Sequence, residues 1–578
     1  MEFITRSEIG AYLRRVPDMT SRRLLATGLI VGSAAAYTLL FGNWPQMFTF
    51  ATDPDSPLAT RLFTAPVHLA DDVMVTVRSG EMIMQTGEPA FNSTDSAQAA
   101  TSYLAPYIIA GLLAVLPFNL AVLTFGILGF AAVVGTYGII VWRARSLINA
   151  AILVAALALT VTNLEFALTG WDHLLQGFLL AAAVAVSLSP PLGNKRLVTI
   201  SALAGLAVLA RPDGVIIAAG VLAASFVTLG REWRRGALSL LGPFGGLIVF
   251  FLALNYLQFG FFTPTTTRLK AGAAPSVAYM WDYLYANGVV TYTAASVVVI
   301  LAVVSVSLWV RIRSFPVALI IGAAVITALV AVINSDFFPG ARMFWSPAVV
   351  MATVLAVKLP ALFRAGPALP LDESGQIQTG WSRRAEQSVV VGTVGVAVVA
   401  AAVVGLEGAV VSKEALGGSR TAQQFLATQW INENLDPEEG SIGVFYAGEA
   451  AHLPNFEAAD FLGKADEAIA VLEPEWGPPG HNKWDIDLTL DKWRPQAILS
   501  TIDQDPLDPE SDAIAAEWRD RQWTHGYLAD LITNESIRAD YRYCRVRDPS
   551  GRVESSVDVL LRVDIIPEVK SIVSCSDY

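Results

Sequence analysis

Residues 119–142 read NLAVLTFGILGFAAVVGTYGIIVW, 24 residues without a single charge, and Arg143-Ala-Arg145 closes them. As a helix rising 1.5 Å per residue this stretch is about 36 Å long, enough to cross a hydrocarbon core of about 30 Å. A helix is also the only open-ended element that satisfies its own backbone there, so the stretch reads as a transmembrane span. Ten further runs of similar character follow the same logic: Leu24 to Gly42, Leu147 to Leu164, Leu174 to Leu188, Leu197 to Ala210, Val215 to Gly230, Ala237 to Leu257, Val289 to Val310, Pro316 to Asn334, Met343 to Val357 and Val389 to Val411. The expected fold is a polytopic α-helical membrane protein of about eleven transmembrane helices, followed by a C-terminal extracytoplasmic α/β domain. Ser102 to Pro117 is apolar but short and proline-interrupted, and reads as an interfacial or re-entrant helix.

Composition agrees with that reading. The 578 residues are 54% hydrophobic and 16% charged, against about 25% charged in soluble domains. The 10% aromatic content excludes a disordered chain, and the net charge of −12 disfavours nucleic acid as a partner. The acidity is local. Residues 410–578 hold 31 Asp/Glu against 15 Lys/Arg, which leaves 20 against 24 for residues 1–409.

Basic residues recur in every second junction: Arg22 and Arg23, Arg143 and Arg145, Lys195 and Arg196, the Arg231 to Arg235 group, Arg311 and Arg313, Arg383 and Arg384. The positive-inside rule makes these cytoplasmic and gives a multi-pass plasma-membrane protein with its N-terminus inside. The first outer loop, 43–101, and the domain 412–578 then lie outside. The first apolar run lacks a compact basic n-region and a small-x-small site, so it reads as an uncleaved anchor. Pro360 to Ser382 reads as a flexible linker before the last span.

Beyond the last span, Ser441 to Tyr446, Ala497 to Ile502 and Val557 to Val563 read as strands, and Thr421 to Asn434 and Ala513 to Arg521 as helices. Both cysteines of the chain, Cys544 and Cys575, fall in this domain. On the oxidising side of a membrane a structural disulfide between them is favoured over two free thiols.

Charge near a membrane is costly and tends to mark function. Outside the cytoplasmic flanks it collects on the outer face: Asp71, Asp72 and Arg78 in the first loop, Glu165, Asp172 and His173 at the next hairpin, then Arg211 and Asp213 in Leu-Ala-Arg-Pro-Asp-Gly. Arg268 and Lys270, and Asp336 and Arg342, follow at later junctions. Cations can hold a phosphate and a carboxylate can take a proton from an attacking hydroxyl, so a lipid-phosphate-linked sugar fits. Alone, each group has a bland alternative: Asp71-Asp72 as solvated surface, Arg-Pro-Asp-Gly as a turn ending a helix.

These residues stand in an order that resembles a known family. Asp71-Asp72 with Arg78, Gly87, Asn92 and Thr101-Ser-Tyr-Leu104 are similar to the first outer loop of GT-C glycosyltransferases like the mycobacterial terminal β-(1→2)-arabinofuranosyltransferase. Leu-Ala-Arg-Pro-Asp-Gly, Tyr256 with Gly260, Pro264, Thr266 and Lys270, and Asp336 with Pro339, Gly340 and Arg342 continue the order. Asp460-Phe-Leu-Gly-Lys-Ala-Asp466 and Pro479-Gly-His-Asn-Lys-Trp-Asp485 complete it, the last being the most specific. Two departures, Gly87-Glu-Pro-Ala-Phe-Asn92 without a second glycine and Gly170-Trp-Asp172, bear on which sugar is used.

The resemblance implies an inverting transferase that moves a sugar, arabinofuranose first among them, from a polyprenyl-phosphate donor to a cell-envelope glycan outside the membrane. Asp71 or Asp72 would be the base. Arg78, Arg211, Asp213, Lys270, Asp336 and Arg342 would surround donor phosphate and sugar, and Lys464, Asp466, His481, Lys483, Trp484 and Asp485 the acceptor. No cofactor is required, and the spacing neither demands nor excludes a divalent metal. Another lipid-linked-sugar GT-C transferase acting on a different glycan or protein, or a secondary transporter, are the alternatives; a transporter would carry midplane charges and inverted repeats.

Overall fold

A computed structural model describes residues 27–36, 71–94, 97–144, 147–163, 171–189, 191–270, 288–333, 342–362, 419–475, 480–499, 505–521, 526–546, 557–569 and 573–575. The helices of the N-terminal body, in chain order, are α1 Thr27–Ala36, α2 Asp71–Thr86, α3 Ala105–Leu113, α4 Phe118–Arg143, α5 Leu147–Asn163, α6 Trp171–Ser187, α7 Asn194–Ala210, α8 Val215–Leu229, α9 Trp233–Phe259, α10 Thr265–Lys270, α11 Gly288–Ile312, α12 Phe315–Ile333 and α13 Trp345–Leu362. Among the described residues two segments, Phe118–Arg143 and Pro212–Phe259, are long and apolar enough to cross a membrane, and shorter apolar helices accompany them. The expected last span, Val389 to Val411, and the linker before it lie outside the described residues.

The body packs as its sequence pattern requires. Val133, Tyr137 and Ile140 of α4, Leu180 and Val184 of α6, Ile200 and Ala204 of α7 and Ala348 to Ala352 of α13 are wholly enclosed in one core. The outward faces of α9 and α11 remain apolar, with Leu257 81% and Val303 60% exposed, a surface suited to lipid rather than water. Pro243 sits inside α9 and costs that helix a backbone bond. One turn of the resulting disturbance is met from α7, where Ser201 Oγ accepts the Phe244 N–H at 2.8 Å. The short α3 packs against α2 and α4. Gly80 is what lets α2 approach it, because a Cβ there would meet Ile109 Cγ2 at 2.4 Å.

The C-terminal part contains helices α14 Ser419–Asn434, α15 Glu467–Ala470, α16 Ile486–Trp493, α17 Ser511–Arg521, α18 Gly526–Thr533, α19 Glu535–Asp540 and α20 Ile566–Val569. Its strands are β1 Ile442–Val444, β2 Ala458–Asp460, β3 Ala497–Leu499, β4 Tyr541–Val546, β5 Val557–Arg562 and β6 Val573–Cys575, in one sheet of order β2-β1-β3-β5-β4-β6. The first three strands are parallel and the remainder antiparallel. Cys544 and Cys575 face each other in the β4–β6 register and are joined as a disulfide, which ties the last strand to the sheet.

The segment from α2 to Thr101 is built into this domain. Val75, Phe91 and Ala99 belong to the same buried cluster as Ile442, Val444, Ala458 and Leu499. Asn92 completes the free edge of β2 as a strand would, its amide donating to Ala458 O and accepting from Ala458 N, both at 2.9 Å. That edge would otherwise present unpaired backbone groups.

Candidate functional site

The helix α2 begins at Asp71, and its next turns bury Val73, Met74 and Val77 in a cluster with Ala105 and Ile109 of α3, Val122 and Phe125 of α4, and Leu175 of α6. This packing brings the N-terminus of α2, with Asp72, to the same end of the body as the N-terminus of α6, with Asp172. The side chain of Asp71 lies outside the described residues. Asp72 is about one third exposed, and its Oδ1 stands 3.2 Å from Nζ of Lys464, a residue 392 positions away in the C-terminal domain.

Lys464 is held in place by its own turn. The buried Asp460 carboxylate accepts Leu462 N–H at 3.0 Å and Ala465 N–H at 2.6 Å. Between them Gly463 takes φ +73°, where a side chain is strained, and a Cβ would also meet Ile469 Cγ2 at 2.7 Å. Burial pushes the Asp460 carboxyl up to about 6, against its N–H bonds and Lys464. Lys464 is therefore presented from a rigid loop, with Nζ against Asp72.

The helix α10 closes the other side of this seam. Thr265 N–H donates to Gln98 O at 3.0 Å, the Thr101 and Thr266 hydroxyls meet at 3.3 Å, and Arg268 pairs with Glu467 of α15. Lys270, the last residue of α10, runs alongside Gly480, next to His481. Lys270 and Lys464 thus enter the seam from the body and from the domain respectively.

A second polar group stands at the neighbouring helix ends. Arg211 is extended, as a residue before proline prefers, and Pro212 opens the short turn Pro212–Gly214 that starts α8. Arg211 Nη1 donates to Asp172 Oδ2 at 2.8 Å and Nε to Asp213 Oδ2 at 3.1 Å. Gln176 Nε2 donates to Asp213 Oδ1 at 2.8 Å and to Arg211 O at 3.0 Å, and Ser346 Oγ of α13 donates to Gln176 Oε1. His173 Nδ1 lies 3.1 Å from Asp172 Oδ1 and its Nε2 lies 3.2 Å from Met343 Sδ. Among the described residues this cluster sets two carboxylates on one guanidinium. The partly exposed carboxylate oxygens are acceptors for hydroxyl groups, so this cluster suits the sugar half of the expected donor. The signal in the sequence was Asp172 beside Arg-Pro-Asp-Gly; Gln176, Met343 and Ser346 carried none.

The structure moves other expected residues out of an open site. Arg78, expected at the donor phosphate, is 2% exposed and donates from Nε to Phe91 O at 3.0 Å, from Nη1 to Leu453 O at 3.2 Å and from Nη2 to Phe456 O at 2.8 Å. It clamps the first outer loop to the C-terminal domain. Burial lowers its proton affinity, and Glu81 and Glu457 oppose the shift; an arginine stays charged there. Glu81 shares this enclosure, and burial pushes its carboxyl up to about 7 against the pull of Arg78.

Of the residues expected to meet an acceptor, Asp466 is buried, caps α15 through Ala468 N, and accepts Lys492 Nζ and Trp493 Nε1, each at 2.9 Å. Lys483 Nζ donates to Ala470 O at 2.9 Å and is 3% exposed. Trp484 donates from Nε1 to Asp530 Oδ2 at 2.8 Å and packs edge-on against Tyr527, while Asp485 caps α16 through Leu488 N. These four build the domain that presents Lys464. Asp336 and the Arg342 side chain lie outside the described residues. Among the described residues no group of three or more His, Cys, Asp or Glu side chains is placed to hold a metal ion.

No protein-family model and no curated protein matches the sequence. Among solved structures the chain is similar to the archaeal oligosaccharyltransferase AglB from Archaeoglobus fulgidus, in complex with an inhibitory peptide and a dolichol-phosphate, at 13% identity and a TM-score of 0.46, over 95% of this chain and 76% of that chain.

Proposed function

We propose that the protein is a membrane glycosyltransferase that moves a sugar, arabinofuranose the best candidate, from a polyprenyl-phosphate donor to an envelope glycan at the outer face of the plasma membrane. The observation that carries this reading is the Asp72–Lys464 contact, a partly exposed carboxylate and a fixed cation meeting at a seam that Lys270 also enters. A carboxylate alone would suit many reactions; a carboxylate with cations at the end of an apolar helical body suits a lipid-borne phosphate.

In the reaction an acceptor hydroxyl oxygen bonds to the anomeric carbon from the face opposite the phosphate. The proton passes to Asp71 or Asp72, and the electron pair of the breaking carbon–oxygen bond goes to the lipid phosphate. That leaving group needs its charge stabilised and needs no proton, a role for Lys464 or Lys270. The Asp172–Arg211–Asp213 cluster offers acceptors to sugar hydroxyls, which is where the choice of sugar would be made. The inverting outcome follows from a single displacement with one base.

The test is transfer from a panel of polyprenyl-phosphate sugars by purified Asp71→Asn and Asp72→Asn proteins, read by mass spectrometry. Loss of transfer in either variant, with the melting temperature kept, is expected; wild-type transfer in both refutes the mechanism. Protease added outside intact cells should reach the domain after Val411, and protection there overturns the orientation.

A further inference from the structure

The helical body has a second charged centre, at the end opposite the seam. The helix α6 stops at Ser187, and the next two residues turn back on its last carbonyls, Leu188 N–H donating to Val184 O at 3.0 Å and Ser189 Oγ to Ala185 O at 2.7 Å, which leaves the carbonyls of Leu188 and Ser189 to be met from outside the helix. Three cations from three other helices close on that stop. Arg143, the last residue of α4, donates from Nη1 to Ser189 Oγ at 2.9 Å. Arg196, in the first turn of α7, donates from Nη1 to Ser189 O at 2.5 Å and to Pro191 O at 3.0 Å. Lys358, near the end of α13, reaches Leu188 O at 3.4 Å.

A helix C-terminus carries roughly half a negative charge, and one cation satisfies it. Three full charges therefore leave about two and a half in excess. Among the described residues none of the three is paired with a carboxylate. Each also keeps donors that these contacts do not use, since a guanidinium has five and an ammonium three. The surroundings fix the depth in the membrane. Trp142, beside Arg143, is 69% exposed, Trp233 is 42% exposed with Arg234 against its ring, and Trp309 is 39% exposed near the end of α11. Exposed tryptophans at one end of apolar helices mark the level of lipid headgroups.

We propose that the Leu188–Ser189 turn, with Arg143, Arg196 and Lys358, binds the phosphate headgroup of an anionic glycerophospholipid. The lipid chains would run down the apolar flank of the body, and the phosphate would take up the unused donors of the three cations. The site is remote from the seam and independent of the reaction assigned there.

The experiment incorporates the full-length protein into nanodiscs of phosphatidylcholine and phosphatidylglycerol and counts co-purifying lipid by mass spectrometry. Wild type is expected to retain phosphatidylglycerol over phosphatidylcholine. Arg143→Gln, Arg196→Gln and Lys358→Gln should each lower that preference by roughly fivefold, as for a cation near a lipid surface. The Arg231→Gln/Arg234→Gln/Arg235→Gln protein removes as much charge as all three together from the same end outside the turn, and should keep the preference. Retention unchanged in all three single variants overturns the proposal, as does an equal loss in the control, which would mark general attraction without a site. Should a Gln variant fail to fold, Arg143→Lys and Lys358→Arg keep the charge and should keep the lipid; loss of lipid from these folded proteins also counts against the site.

Discussion

Replacing Arg78 with methionine separates the clamp from the phosphate role that its place in the sequence suggests. Three hydrogen bonds from a charged donor are worth about 1.5–3 kcal/mol each in gross terms, and all three end on buried backbone carbonyls, two of them across the seam. Desolvating the guanidinium costs several kcal/mol, so the sum is not the net effect. Removal, however, strands the carbonyls of Phe91 and Phe456, which methionine cannot meet, while Leu453 O keeps the Phe456 N–H at 3.1 Å. Breaking a buried charged contact of this kind costs about 3–5 kcal/mol. Arg78→Met is therefore expected to loosen the outer loop from the domain, lower the melting temperature in detergent and open residues 453–456 to protease. Arg78→Lys, with one ammonium for three divergent carbonyls, should fall between. If Arg78→Met melts like wild type and only the KM for the lipid-linked donor rises, the clamp is wrong and the arginine serves the phosphate.

The remaining expectations use the same seam. Glu81, raised to about 7, holds its proton more tightly folded than unfolded, so its contribution to stability is complete below about 4.5 and is lost as pH rises through 7. Melting temperature should fall from pH 5 to 8; Glu81→Gln should flatten the slope above pH 6 and leave that of Asp460 between about 4 and 6, and an unchanged slope would remove Glu81 from the account. Lys464→Met should cut transfer by roughly 10- to 100-fold with little change in melting, as expected for loss of a group that stabilises developing charge, while Gly463→Ala should lower both, because its left-handed turn and close approach to Ile469 leave no room for a methyl group. Cys544→Ser/Cys575→Ser opens a link spanning 31 positions and should cost about 3.5–4 kcal/mol by chain entropy, read as a shift in the denaturation midpoint of the purified protein.

The helices of the body were legible because a long apolar run is a simple pattern, though two segments among the described residues are long and apolar enough to span a membrane, and the three predicted strands because Ile442, Ala497 and Val557 open apolar runs. The strands β2 and β6, three residues each, were not, since two or three alternations carry no period, and neither was β4, Tyr541–Val546, whose apolar run is interrupted by Arg542 and Arg545. The disulfide was legible from compartment and count. The contacts of Arg78 were not legible for a definite reason: its partners are backbone carbonyls of Phe91, Leu453 and Phe456, and a carbonyl has no letter in the sequence. Asp466 and Asp485 were legible in principle, because an aspartate directly before a short amphipathic helix is a capping signal. Both were read as site residues because they stand in charged motifs.

That misreading separates two duties within the motif Asp460-Phe-Leu-Gly-Lys-Ala-Asp466. Asp460 folds the turn, Gly463 permits it, Asp466 anchors its end to Lys492 and Trp493, and Lys464 alone extends to Asp72. A cation that meets a carboxylate from another part of the chain needs to be fixed more firmly than a loop can manage alone. The polar residues spent on architecture therefore serve the contact that Lys464 makes with Asp72 across the seam. The same division holds on the body side, where Gln176 and Ser346 hold Asp213 and Arg211, leaving the oxygens of Asp172 and Asp213 partly open. Charge in this protein is scarce, and most of it near the site is used to hold a few groups still.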